Sequence, residues 1–213
     1  MLLNEKQILQ RLVDPDERNR LTVSPIIDVR EQLQPSSLDV RLGTDFVMVR
    51  TARFLFLNIL KSPEEAEKEA AEYVERIHVP PSQRFVIHPG EFALGCTLEY
   101  IKLPCNLAAR LEGKSTWGRV GLQVHSTAGF VDPGFEGCLT FELQNVGKVP
   151  IPLYPGIRVA QLCFLECTST AIPYMSKSTS NYGGRAGLLT SRYFKMPDLA
   201  ILRRIVDPSN DDF

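Results

Sequence analysis

Between residues 37 and 43 the chain alternates: Leu38, Val40 and Leu42 stand against Asp39 and Arg41, and Gly43 closes the run. A period of two places the apolar set on one face of a half-buried strand. DFVMVR at 45–50 predicts a second strand. From residue 79 onward the pattern repeats as strand, turn, strand, with candidates at 84–88, 92–99, 106–112, 121–125, 138–145, 149–153 and 158–166. Pro-Gly at 89–90, Asp-Pro-Gly at 132–134 and Pro-Gly at 155–156 punctuate them. Many short strands at regular spacing predict a mainly β fold, a sandwich or distorted barrel. There is no βαβ alternation, no GxGxxG, no Walker loop and no internal repeat.

Helical spacing is confined to three places. Residues 1–13 place Leu2, Ile8, Leu9 and Leu12 near one face. Residues 62–77 open with Ser62, Pro63 and Glu65, which reads as an N-cap, a proline at the first helical position and a capping box. The strong helix formers that follow predict a charged, solvated decoration inserted into a β-rich chain. MPDLAILRRIV at 196–206 predicts a last short amphipathic helix, after a Ser/Thr/Gly-rich stretch from 168 to about 192. The organisation expected is a β domain over 1–167 and a tail segment over 168–213.

Charge narrows the partner classes. Lys+Arg total 24 and Asp+Glu total 25, so the net charge is -1. That argues against a nucleic-acid polymer as partner, which needs a basic excess, but leaves room for a small anion held by a few local cations. FLFLNIL at 54–60 is far shorter than the ~20 residues of a membrane span, and the charged N-terminus lacks a signal-type apolar core. A cytoplasmic location is the expectation. Five scattered cysteines (96, 105, 138, 163 and 167) are expected to be reduced, core or near-core thiols.

Polar chemistry concentrates between 112 and 145. Lys114, Ser115, Thr116 and Arg119 fall within six residues, with Gly113, Gly118 and Gly121 among them. Such a segment suits either a phosphate cradle or an ordinary surface turn. Asp132, before Pro133-Gly134, is a turn former or a functional acid. In CLTFELQN, Cys138, Thr140, Glu142 and Gln144 share one strand face and Leu139, Phe141 and Leu143 the other. Glu142 is then either solvated or a proton shuttle lining a pocket. His78, His88 and His125 have no metal-ligand spacing, Cys163 and Cys167 lack a second pair, and no GxSxG elbow supports Ser115 as a nucleophile. Trp117 reads as packing, with a ligand contact as the alternative.

Several of these stretches occur together in one family. QPSSLDVRLG, IHPGEFALGCTLEYIKLP, EGKSTWGRVGLQVHSTAGFVDPGFEGCLTFEL and PGIRVAQLCF resemble, in this order along the chain, the dCTP deaminases of the trimeric dUTPase-like superfamily. The resemblance covers roughly residues 1–50 and 82–167 and leaves out the helix at 62–77. It implies a distorted β-barrel or jelly-roll-like dUTPase fold with a few peripheral helices, a homotrimer with interfacial active sites, and hydrolysis of dCTP to dUTP and ammonia. Mg²⁺ would ride on the triphosphate, with no metal ligand from the protein directly.

Matched position by position, the resemblance implies that Glu142 is the catalytic glutamate. Ser115 and the Ala128 carbonyl would hold the water, and Arg119 would stabilise charge. Lys114, Ser115, Thr116, Arg119, Asp132, Phe141 and Tyr182 would bind the nucleotide. Zinc deaminases carry H-x-E and P-C-x-x-C; here no His is followed by x-Glu, and Pro104-Cys105 is followed by Asn-Leu-Ala, so deamination would proceed without zinc. TAGFVDPGFEG, with Gly129 after Ala128, is closer to the bifunctional members that continue to dUMP and pyrophosphate, Asp132 then activating water against the α-phosphate. Tyr182 and RAG at 185–187 fit the start of the family's C-terminal lid. LLTSRYFKMPD stands where its Lys and Gln would follow, with Arg185, Arg192 and Lys195 as substitutes. The alternatives are a dUTP diphosphatase without deaminase activity and a non-catalytic nucleotide-binding regulatory trimer.

Overall fold

Strict alternation is realised most fully in the strand Glu136–Asn145, where every second residue is buried. A computed structural model describes residues 1–49, 57–168, 170, 172–177, 182–184 and 187–206. Within them the strands form two main antiparallel sheets. One runs in the order Val74–His78, Asp45–Val49, Phe92–Lys102, Glu136–Asn145, Leu122–Gln123, with Thr22–Ser24 also paired to Phe92–Lys102. The other runs Phe130–Val131, Leu107–Gly113, Arg158–Glu166, Ser37–Arg41, Leu33–Gln34. A small ribbon pairs Ile151–Leu153 with Phe85–Ile87. The fold is mainly β, as expected, and among the described residues the sheets do not close into a barrel.

The facing sides of the sheets make one apolar core. Phe46, Ile101, Phe141 and Leu143 come from the first sheet, and Leu38, Val40, Leu111, Leu162 and Phe164 from the second. Phe46 and Phe85 stack at 4.2 Å between centroids. Burial of this apolar surface is the driving force that assembles the fold.

The structure departs from the sequence pattern in several places. Ser37–Arg41 is not half-buried: Ser37 to Val40 are all buried, with Asp39 at 0% exposure. Side chains from three other segments cover its polar face. The predicted helix of 62–77 runs only over Pro63–Glu72, with Ser62 capping as predicted, and Val74–His78 is a strand. Its backbone finds a ladder along Asp45–Val49, with Val47 opposite Arg76, a tertiary partner that helix propensity does not register. That helix is also no mere decoration. Ala66 is fully buried, Glu69 pairs with Lys61 at 2.9 Å, and the tail turn Tyr193–Lys195 packs on it. Finally, the strand expected at 121–125 shortens to Leu122–Gln123.

The tail returns to the β domain. Leu188 joins Val47 and Cys96 in a small buried cluster, Phe194 and Leu199 are buried, and Arg203 Nε donates to the Leu60 carbonyl at 3.3 Å. Its last helix is Pro197–Val206. Arg50, Arg185 and Ala186 lie outside the described residues. The five cysteines are free. Burial pushes the Cys96 thiol up to about 12, whereas Cys167 is exposed and not near-core. Burial also raises the Glu99 carboxyl, although Arg41 N and the Gln32 amide each donate to it. No described helix is long and apolar enough to cross a membrane.

Candidate active site

Glu142 owes its place to strand alternation. It lies on the less buried face of Glu136–Asn145, back to back with fully buried Phe141. Its backbone N–H donates to the Val124 carbonyl at 3.0 Å, which brings the 121–129 loop alongside. Ser126 N–H then donates to Glu142 Oε2 at 2.8 Å. Oε1 has no protein partner among the described residues, so one carboxylate oxygen is anchored and the other is open to a ligand. Glu142 is partly buried.

The loop is pinned at both ends. Val124 is buried and lies against Gly113, where an added Cβ would sit 3.0 Å from Val124 Cγ2. At the far end Leu111 N–H donates to the Gly129 carbonyl at 2.7 Å, and His125 Nε2 lies 2.6 Å from the Leu111 carbonyl. Gly129 has no room for a side chain: a Cβ would meet Leu111 O and His125 Nε2, both at 2.9 Å. Ala128 is exposed on this loop.

Lys114 to Arg119 form a tight turn, with a single helical turn over Ser115–Gly118. Lys114 N–H donates to the Val159 carbonyl at 3.0 Å, and the Trp117 indole N–H to the Arg158 carbonyl at 2.9 Å. Trp117 is thus a packing and anchoring residue. Ser115, Thr116 and Arg119 are exposed and face outward. Lys114 is not: its Nζ lies 2.5 Å from Asp39 Oδ2. The turn adjoins Leu122–Gln123, which pairs with the strand of Glu142 at Gln144.

Asp132 is partly buried and its carbonyl accepts from Phe135 N–H at 3.2 Å, with Gly134 at φ 76, so it begins a turn as its neighbours suggested. Tyr174 packs on that turn, its N–H on the Pro133 carbonyl at 3.0 Å. Tyr182 is 41% exposed and its hydroxyl accepts from Arg192 N–H at 3.2 Å, within the tail. The Phe141 side chain belongs to the core, on the strand face opposite Glu142.

The chain therefore ties the 121–129 loop to Glu142 through Ser126 and Val124, packs the 114–119 turn against Leu122–Gln123 beside the same strand, and leaves Asp132 in the turn between Phe130–Val131 and Glu136–Asn145. Sequence reasoning missed Ser126, because a backbone amide leaves no residue-type signal. It also missed Asp39, although an acid inside an alternating apolar run was the available clue.

A family model described as dCTP deaminase-like matches residues 2–167, a span that includes the Pro63–Glu72 helix. A protein of Methanobrevibacter smithii named dCTP deaminase, dUMP-forming is 44% identical over 174 residues, covering 81% of this chain and 84% of its own. One of the same name from Bifidobacterium adolescentis is 42% identical over 196 residues, covering 91% and 95%. The crystal structure of 2'-deoxycytidine 5'-triphosphate deaminase from Agrobacterium tumefaciens aligns with a TM-score of 0.55 at 24% identity, over 76% of this chain and 47% of that one. This last similarity speaks to fold.

Proposed function

The chain belongs to the dCTP deaminase-like family, and from that premise we propose that it deaminates dCTP hydrolytically and continues to dUMP and pyrophosphate. The observation that carries the reading is the Glu142 carboxylate, held at Oε2 by Ser126 and open at Oε1. Attack of water on C4 of cytosine needs a base that removes one water proton and passes it to N3. The same carboxyl then carries the remaining hydroxyl proton to the departing amine, so water and dCTP become dUTP and ammonia. Ser115 and the Ala128 carbonyl position the water, and Arg119 offsets the charge that develops. The dUMP-forming second step is favoured over simple deamination by the relatives' printed names and by Gly129 after Ala128. In that step Asp132 activates a second water against the α-phosphorus, and pyrophosphate leaves.

The described residues hold no cluster of three or more His, Cys, Asp or Glu side chains fit to grip a metal ion. Mg²⁺ in this reading would be carried by the nucleotide, since it keeps its waters and binds mainly through substrate phosphates. When bound with the nucleotide it would neutralise phosphate charge. Deamination without zinc is part of this reading, supported by the missing zinc-deaminase signature. Because Ser115, Thr116, Arg119 and Ala128 are all exposed, the site is open in one chain, and a homotrimer would close it with a neighbouring copy.

Purified protein incubated with dCTP and Mg²⁺, with products separated over time, tests the reading. Ammonia, dUMP and pyrophosphate in equal amounts are expected. Accumulating dUTP would remove the second step. Hydrolysis of dUTP with dCTP untouched would leave a diphosphatase, and tight binding without turnover a regulatory module.

Loop geometry supplies a further expectation. Gly129→Val must push the loop off Leu111 and carry Ser126 and Ala128 with it. A misplacement of about 1 Å at a catalytic centre costs about 100-fold in turnover. Deaminase kcat should fall by that order, with only a small change in melting temperature; unchanged kcat would mean the loop yields without moving the carboxylate.

A further inference from the structure

We propose that Asp39 is the positioning residue of the 114–119 turn, acting through Lys114 to fix where Ser115 and Arg119 stand. Its effect on catalysis rests on the deaminase reading above; its effect on the turn does not. Asp39 is 0% exposed, and its Oδ1 has no hydrogen-bond partner. A carboxylate so placed is strongly disfavoured unless a cation lies against it. Lys114 Nζ, 2.5 Å from Oδ2, is that cation; Arg158 Nη1 at 3.4 Å and the Gln34 amide at 3.5 Å add to it. Arg158 is itself held by Glu31, at 3.0 Å from Oε2 and through the Glu31 carbonyl.

The consequence is a division of labour within the segment. The Lys114 side chain is only 26% exposed and its charge is committed inward. Arg119 is exposed and has no carboxylate partner among the described residues, so it is the cation left to face an anionic ligand. The turn also packs on Leu122–Gln123, and its hydrogen bonds to the neighbouring sheet are Lys114 N–H on Val159 and the Trp117 indole on Arg158. Both hydrogen bonds end on one strand, Arg158–Glu166, and neither reaches the charged end of Lys114. Asp39 sits on the adjacent strand, opposite Gln161, and ties the turn to that second strand. Lys114 therefore works as a strut for the turn.

Asp39→Asn, Lys114→Met and the double variant, made in the full chain, test this. Two readouts are taken: amide hydrogen exchange over 114–119 in the nucleotide-free protein, and kcat and KM for dCTP with Mg²⁺. Each single change is expected to speed exchange about tenfold as the local opening becomes easier. Each should lower kcat by ~10–100-fold through misplacement, with KM within about threefold of wild type because little ground-state binding is removed. The double variant should be no worse than the worse single, the mark of two residues acting as one. Should Lys114→Met, which strands a buried carboxylate, fail to fold, Asp39→Asn and the double carry the test, with equal exchange and kcat expected. A KM raised about tenfold by Lys114→Met at unchanged kcat and exchange would instead make Lys114 a direct phosphate ligand and overturn the proposal. So would an Asp39→Asn protein indistinguishable from wild type. Wild-type protein inert toward dCTP would sink the deaminase reading alone, since the exchange rates would still decide the role of Asp39.

Discussion

Glu142→Gln is expected to lose deamination by about 10³-fold or more while the protein stays folded. The amide has nearly the shape of the carboxylate, and its oxygen can still accept from Ser126 N–H, so the loop remains pinned. What disappears is a group able to take a proton from water and return it. General acid–base catalysis is worth roughly 10²–10⁴-fold, and here one residue serves both the attack and the departure of the amine. The second reaction is affected far less. Hydrolysis of added dUTP depends on Asp132, in a separate turn on the loop before this strand. Ammonia release from dCTP and pyrophosphate release from dUTP, measured on the same preparation, should therefore separate. Ammonia released at the wild-type rate would remove Glu142 from the mechanism. Loss of both activities with an unchanged melting temperature would show that the two steps share this carboxylate.

Phe141→Ala is expected to cost about 3–5 kcal/mol of stability, the usual penalty for deleting a fully buried phenyl ring. For a chain of this size that corresponds to a fall in melting temperature of roughly 6–20 °C. Phe141 is 0% exposed and packs in the core shared by both sheets, so the cavity has little means of collapsing. Phe141→Leu should cost less and should leave KM for dCTP within about twofold, because core packing adds nothing to ground-state binding. A large rise in KM with unchanged stability would return Phe141 to the nucleotide-binding set. Adjacent residues of one strand thus carry opposite expectations: Glu142 for chemistry with little loss of stability, Phe141 for stability with little change in binding.

That opposition was legible in advance, because alternation in CLTFELQN assigns the two side chains to opposite faces before any fold is known. The same holds for Ser62 capping the Pro63–Glu72 helix, whose capping box is complete within four residues. The strand Val74–His78 was not legible. VERIH follows a run of helix formers, and its strand state depends on an edge offered by Asp45–Val49, a segment far away along the chain. Nor was the holding of Glu142 by Ser126 legible, since every residue type supplies the same amide.

Lys114 marks the boundary. Its neighbours Gly113, Ser115 and Arg119 were sufficient to single out the segment as an anion site or a turn, and residue types along a short stretch carry that much. Its partner lies 75 positions earlier, inside a run whose period of two points Asp39 toward water. Periodicity reports which side of a strand a residue occupies, but is silent on whether that side is later covered. Coverage here comes from Lys114, Arg158 and Gln34, which only strand pairing across the sheet brings against Asp39, and the cost of an uncompensated buried carboxylate then turns the Lys114 side chain inward.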